Sequence, residues 1–118
     1  MEQTDLAIYQ DFVNETSSEK VKGTGQLEIL WATLGLVAEA GEVAGVCEKA
    51  LRKNSVVLPE DEDRLFDELG DTLYYLAATC NALDISLDEV IEYNISKITK
   101  RIEQGYYGAS KTSEDTTV

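Results

Sequence analysis

The sequence has no histidine, one proline and two cysteines, and its basic residues are scarce. Without histidine, Ser-His-Asp and Cys-His catalysis and histidine-ligated zinc are excluded. Cys47 and Cys80 lie inside helical patterns and neither is near another cysteine, so a zinc site or a disulfide framework is not indicated. We expect both thiols to be reduced and buried in the core. Any catalysis must rest on carboxylates.

Acidic residues outnumber basic ones by 23 to 10, which gives a formal net charge of −13 over 118 residues. A surface of that sign repels phosphate backbones and anionic lipid, so we expect no nucleic-acid partner and no membrane surface. A small anionic substrate remains compatible with this charge when cations screen the acids, because a bound divalent ion is often the largest local charge in a site. The acidity therefore suggests a metal.

We expect no export signal, and the sequence has no long uncharged segment. Glu2 and Asp5 stand where a signal peptide needs a basic stretch followed by an apolar one. The uncharged stretch at residues 72–83 is much shorter than the roughly 20 residues that span a bilayer. We therefore expect a soluble, cytoplasmic protein.

Hydrophobic periodicity predicts four helices and no convincing strand, and hence an all-α fold. Thr4 or Asp5 is a suitable N-cap for the first helix, and the sequence from Ser86 to Glu89 matches a capping box for the fourth. The expected helices cover roughly residues 5–16, 26–53 and 60–83, and a last segment that follows Ser86 and ends near Gly105. Residues 1–109 are predicted to form one domain, and the polar stretch 110–118 a disordered tail.

Two pairs of carboxylates carry the candidate chemistry. Glu39 and Glu42 are three residues apart on the second helix, so they share one face, and Glu68 and Asp71 repeat this spacing on the third. Both pairs have apolar neighbours, and anions held together near a core need cations. Oxygen ligands without sulfur or imidazole favour Mg²⁺ or Mn²⁺. The alternative is two solvated helix faces, but repetition in successive helices favours the metal.

The fourth helix carries a polar stripe beside its isoleucines. Asn94, Lys97 and Arg101 fall at positions i, i+3 and i+7 and so lie along one line of the helix. Such a stripe can bind phosphate oxygens, the arginine in bidentate fashion. An ordinary amphipathic edge would have the same pattern, so the residues alone leave both interpretations open.

Three blocks in this order resemble the MazG-like nucleoside triphosphate pyrophosphohydrolases. The first, LGLVAEAGEVA at residues 34–44, and the second, ELGDTLYYL at residues 68–76, contain the E-x-x-E and E-x-x-D signature of that family. The third block is NISKITKR at residues 94–101. The resemblance spans roughly residues 26–107. One departure is Ala38, where some members have a further glutamate.

The resemblance implies a four-helix bundle completed by dimerisation, as a homodimer or a dimer of dimers. It implies hydrolysis of an NTP or dNTP to the monophosphate and pyrophosphate. Glu39 and Glu42 would be the catalytic carboxylates, and Glu42 is our choice for orienting the attacking water. Asn94, Lys97 and Arg101 would bind the substrate. The implied cofactor is Mg²⁺, with Mn²⁺ as a possible substitute, held by Glu39, Glu42, Glu68 and Asp71.

Two rival interpretations remain. The first is a phosphoribosyl-ATP pyrophosphohydrolase, an enzyme that has the same kind of helical bundle and also uses clustered carboxylates. A non-catalytic acidic module that dimerises through the third helix would keep the fold without needing positioned acids. In the enzyme, several aromatic residues are candidates for stacking on the base: Trp31, Tyr74, Tyr75, Tyr106 and Tyr107.

Overall fold

The structure is a computed structural model that describes residues 3–105, and within that range it contains four α-helices and no strand. In chain order they are α1 (Asp5–Thr16), α2 (Gln26–Lys53), α3 (Pro59–Ala82) and α4 (Leu87–Glu103). The predicted all-α fold is confirmed. The predicted tail at residues 110–118, and the expected domain end at residue 109, lie outside the described residues.

The helix ends follow local capping chemistry. Thr4 caps α1 by accepting a hydrogen bond from the amide of Ala7 at 2.9 Å. The capping box of α4 is formed, with the Glu89 amide donating to Ser86 Oγ at 3.0 Å and the Ser86 amide donating to Glu89 Oε1 at 2.9 Å. Pro59 was expected in the break between helices, but it is the first residue of α3. Proline suits this position because the first helical N–H has no intrahelical partner.

A buried glutamine fixes α1 to the connection between α3 and α4. Gln10 is only 8% exposed. Its amide nitrogen donates to Asn81 Oδ1 at 2.9 Å and to the Ile85 carbonyl at 3.0 Å, while its oxygen accepts from the Leu87 amide at 2.7 Å. All the polar atoms of this side chain thus have partners, and α4 starts at a defined place relative to α1.

α2 and α3 form a hairpin across the short connection at residues 54–58, and they are antiparallel, as short connections favour. At the closest approach, a Cβ atom added to Gly35 would overlap the ring of Tyr75. Trp31 packs edge-on against the same ring, with a centroid distance of 5.4 Å. The absence of a side chain at Gly35 therefore lets α3 lie directly on the backbone of α2.

The single chain leaves much apolar surface uncovered. Its radius of gyration is 18.2 Å, whereas about 13 Å is typical of a compact domain of some 100 residues. The apolar composition of α2 is typical of a buried helix, but in the single chain only Ala32 and Ala50 of this helix are buried. Leu34 and Val37 are 68% and 69% exposed. Cys47, expected in the core, is also exposed, whereas Cys80 is buried as predicted.

Among the described residues, α2 is long and apolar enough to cross a membrane by length and composition, with a mean hydropathy of 1.4 over an 18-residue window. The core helices of soluble proteins and signal sequences meet the same criterion. The uncharged stretch at residues 72–83 belongs instead to the C-terminal part of α3 and its C-cap. The expectation of no membrane partner stays a prediction.

Candidate metal centre

The α2–α3 hairpin brings three carboxylates together. One oxygen from each of Glu39, Glu68 and Asp71 lies within 4.8 Å of the other two. Around an octahedral Mg²⁺ with bonds of about 2.1 Å, ligand oxygens are about 3 to 4 Å apart. Small side-chain rotations therefore suffice to place these oxygens on one ion. The donor set contains oxygen only, which fits a hard divalent cation.

Further acids outside this group of three also act on Glu68 through their charge. Partial burial raises the pKa of Glu68 above its usual value, and the negative charges of Glu42, Asp67, Asp71 and Glu39 raise it further, in that order after burial. Glu42 is thus close enough for its charge to act on Glu68. All the neighbouring charges that shift this carboxyl are negative, so a bound cation would relieve repulsion in the cluster.

The close approach of the two helices sets the spacing of these acids. Glu39 follows Gly35 by four residues on α2, and Asp71 precedes Tyr75 by four residues on α3. The contact between Gly35 and Tyr75 therefore lies about one turn, roughly 6 Å, from the carboxylates. We infer that the missing side chain at Gly35 determines how near the two acidic faces come.

A groove of about 420 Å³ leads from the acids toward the α2–α3 connection. Glu42 and Glu68 line it at the acidic end, and Gly45 and Val46 contribute a small, apolar part of its wall. Its other lining residues are all basic: Lys49, Lys53 and Arg64. The groove is therefore polarised, with anionic groups toward one end and cationic groups toward the other.

Sequence reasoning did not identify these cations as part of a site. Lys49 and Lys53 lie near the C-terminal end of α2, where the helix dipole alone favours cations, and Arg64 belongs to no motif of the sequence. A signal was nevertheless present, since Lys49 follows Glu42 by seven residues and Arg64 precedes Glu68 by four. Both spacings place the cation on the same helix face as the acid.

The stripe on α4 is not part of this groove. Asn94 lies at the middle of α4, and Lys97 and Arg101 lie in its second half. As a whole, α4 packs mainly on α1. Lys97 and Arg101 line a separate hollow of about 260 Å³, and within residues 3–105 its wall comes from α4 and the adjoining Gln104. No residue of α4 lines the groove that contains Glu42 and Glu68. The described chain thus groups the acids but does not add the α4 stripe to them.

The aromatic candidates take part in packing. The Tyr75 ring lies between Trp31 and Tyr74, with centroid distances of 5.4 and 5.5 Å. The hydroxyl of Tyr74 lies 2.7 Å from Thr16 Oγ1, which ties α3 to the end of α1. Tyr106 and Tyr107 lie outside the described residues. The aromatic cluster holds the helices together one turn away from the acids.

Comparison with known proteins adds two findings. Residues 29–106 match a family model described as the MazG nucleotide pyrophosphohydrolase domain. The Gene 37 protein of Mycobacterium phage L5 is 37% identical over 103 residues, which cover 83% of this chain and 89% of that protein. No solved structure matches the chain. The matched family range contains every acid of the cluster and the whole stripe of α4.

Proposed function

The chain belongs to the MazG nucleotide pyrophosphohydrolase family, and on that premise we propose that it hydrolyses an NTP or dNTP to the monophosphate and pyrophosphate with Mg²⁺. The observation that carries this proposal is the convergence of Glu39, Glu68 and Asp71, whose oxygens lie within 4.8 Å of one another. Two unrelated solvated faces would have no reason to converge at a close helix contact.

Of the four ligands expected from the sequence, Glu39, Glu68 and Asp71 would hold the ion through the oxygens that lie together. Glu42, the fourth, would contribute to the metal site, orient the attacking water and accept its proton on a carboxylate oxygen. The water oxygen forms a bond to the α-phosphorus. The bond from that phosphorus to the bridging oxygen breaks, and its electron pair leaves on the pyrophosphate. When bound, Mg²⁺ supplies positive charge for the phosphate oxygens and promotes ionisation of water.

We further propose that a second copy of the chain completes the protein, as a homodimer or a dimer of dimers. Leu30, Leu34 and Val37 form an exposed apolar strip on α2, each more than half exposed. Surfaces of this kind mark contacts between proteins. In the assembly we expect the stripe on α4, with Asn94, Lys97 and Arg101, to complete the substrate site. We expect the assembled protein to be soluble and cytoplasmic.

Assembly is tested by sedimentation at micromolar concentration, with Leu34→Glu as the variant and Asn14→Glu, at an exposed position of α1, as a control that adds the same charge. We expect the parent and the control to sediment as dimers or tetramers and Leu34→Glu to dissociate. A parent that sediments only as a 13.0 kDa monomer would contradict the proposed assembly.

The activity is tested with a panel of NTPs and dNTPs, and with phosphoribosyl-ATP as a rival substrate, in the presence of Mg²⁺. Products are separated by chromatography. We expect a monophosphate and pyrophosphate from at least one NTP or dNTP, and none after addition of EDTA. Release of a diphosphate and orthophosphate would refute the proposed bond cleavage. No turnover of any substrate would favour the non-catalytic module.

A further inference from the structure

We propose that the basic end of the α2–α3 groove, formed by Lys49, Lys53 and Arg64, is a subsite that binds the β and γ phosphates and then the departing pyrophosphate. The proposal rests on the proposed function, since it gives the substrate a direction in that same site. The nucleoside would point toward the N-terminal half of α2, and the polyphosphate toward the α2–α3 connection.

The geometry of the hairpin places these cations next to the acids. Lys49 lies seven residues beyond Glu42, or about 10 Å along the helix axis, and Lys53 lies one turn further. Arg64 lies one turn before Glu68 on the antiparallel α3. The three cations therefore converge from two helices on one end of the groove, as its lining residues show. A phosphate chain that starts at the acids reaches them by following the groove.

The charges at this end are only partly balanced by the protein itself, and after the hydrogen bond and charge of Arg52, the charge of Lys49 contributes to the lowered pKa of Glu48. Within residues 3–105, neither Lys49 nor Lys53 forms an ion pair, whereas the neighbouring Arg52 pairs with Glu48. The guanidinium of Arg64 has one 3.5 Å contact with Asp61, and its side chain is 59% exposed. An arginine carries five N–H donors, so most of those on Arg64 remain for a ligand.

The helix dipole does not account for the whole set. A dipole favours cations in the last turn of a helix, which explains basic residues at the end of α2. Arg64 is in the second turn of α3, near the end where the dipole favours anions. In a chain with only ten basic residues and a net charge of −13, three of them in one groove need another reason. A polyanionic ligand provides that reason.

The subsite would also act during the reaction. As the bond to the α-phosphorus breaks, negative charge develops on the oxygen that leaves with pyrophosphate. Fixed cations near that charge stabilise it without reorganisation of solvent. Charge-assisted contacts to phosphate oxygens are stronger than neutral ones, and a planar guanidinium can make two of them to one phosphate.

The test is isothermal titration of the full chain with inorganic pyrophosphate at saturating Mg²⁺, and separately with Mg²⁺ alone. The variants are Lys49→Ala, Lys53→Ala and Arg64→Ala. Lys20→Ala is the matched control, because this exposed lysine lies in the α1–α2 connection, outside the groove. We expect pyrophosphate affinity to fall about tenfold or more for Lys49→Ala and Arg64→Ala, and Mg²⁺ affinity to stay unchanged. Lys20→Ala should bind as the parent does.

The subsite is refuted if the variants bind pyrophosphate as the parent does, if Lys20→Ala loses as much affinity, or if the parent does not bind pyrophosphate. Melting curves check that each variant is folded. If Arg64→Ala unfolds because the contact with Asp61 is lost, Arg64→Lys, which keeps the positive charge, is measured in its place. The substrate panel separates the two proposals. Turnover by the parent with unaltered pyrophosphate binding in the variants refutes only the subsite. If pyrophosphate binding depends on the basic side chains of the groove but the parent turns over no substrate, only the proposed activity is refuted.

Discussion

The α2–α3 hairpin and α4 differ in how much of a site each builds inside one chain. In the hairpin, side chains from both helices converge, so that Glu39 meets Glu68 and Asp71. In α4, the capping box and amphipathic pattern make a well-defined helix, yet the hollow beside Lys97 and Arg101 has no wall from α1, α2 or α3 in the described part of the chain. The acidic cluster is therefore a local product of one hairpin, whereas any contribution of α4 depends on how chains assemble.

Asp71→Asn, in the hairpin, should have the largest effect. We expect kcat/KM to fall by more than about a hundredfold, because mutation of residues that only hydrogen-bond to metal ligands already lowers metal affinity or activity by about 10- to 100-fold. Steady-state assays of pyrophosphate release check this, with Asp63→Asn as the control because Asp63 is exposed and outside the cluster.

The same substitution should leave the metal-free fold intact or stabilise it, because it removes repulsion among clustered anions. Thermal melts in EDTA measure this. If Asp71→Asn retained full activity, the site assignment would be wrong. If it melted well below the parent, Asp71 would instead be a structural residue of the hairpin.

Gly35→Ala should damage the hairpin through its helix spacing. The added Cβ would overlap the Tyr75 ring, and overpacking of this kind costs about 1–3 kcal/mol. We expect a lower urea midpoint and weaker Mg²⁺ binding. Gly41→Ala is the matched control, since nothing lies within 4 Å of its added Cβ and the higher helix propensity of alanine contributes about 1 kcal/mol. Equal behaviour of the two variants would show that the Tyr75 contact does not set the spacing.

Lys97→Ala and Arg101→Ala test the α4 side of the comparison. If α4 completes the site in the assembly, each should lower kcat/KM about tenfold or more, or about 1.4 kcal/mol per contact, with the oligomer and helix content unchanged. Kinetics normalised to the folded fraction, with sedimentation and circular dichroism, measure this. Loss of stability with unchanged activity per folded molecule would remove α4 from the site.

Helix limits were predictable because the signals are local. Thr4 as an N-cap and the Ser86 capping box act within one turn, and the predicted limits of α1 and α2 agree with the structure. Pro59 was misplaced because proline both breaks helices and starts them. In each case the chemistry involved only neighbours in sequence.

Burial and inter-helix distances were less predictable. Periodicity identifies an apolar face but not what covers it, and Leu69 and Leu73 on the apolar face of α3 are 55% and 42% exposed in the single chain. The three-residue spacing placed each acid pair on one face, but only the Gly35–Tyr75 contact shows how near the faces come. Arg64 is only four residues from Glu68, but it was missed because the lysines that share its groove belong to α2 and are distant from it in sequence.

The turn at residues 54–58 is a place where the chain can change in length without moving the acids. This turn closes the hairpin beyond the groove, and Ser55 there adopts a left-handed φ of 58°. Insertions at the turn would lengthen the end of the hairpin. They would not change which residues of α2 and α3 face each other. One residue inserted between Gly35 and Glu39 would instead rotate the acids by about 100° around α2. A reporter peptide should therefore be tolerated at the tip, and natural relatives should vary in length there while keeping both three-residue spacings.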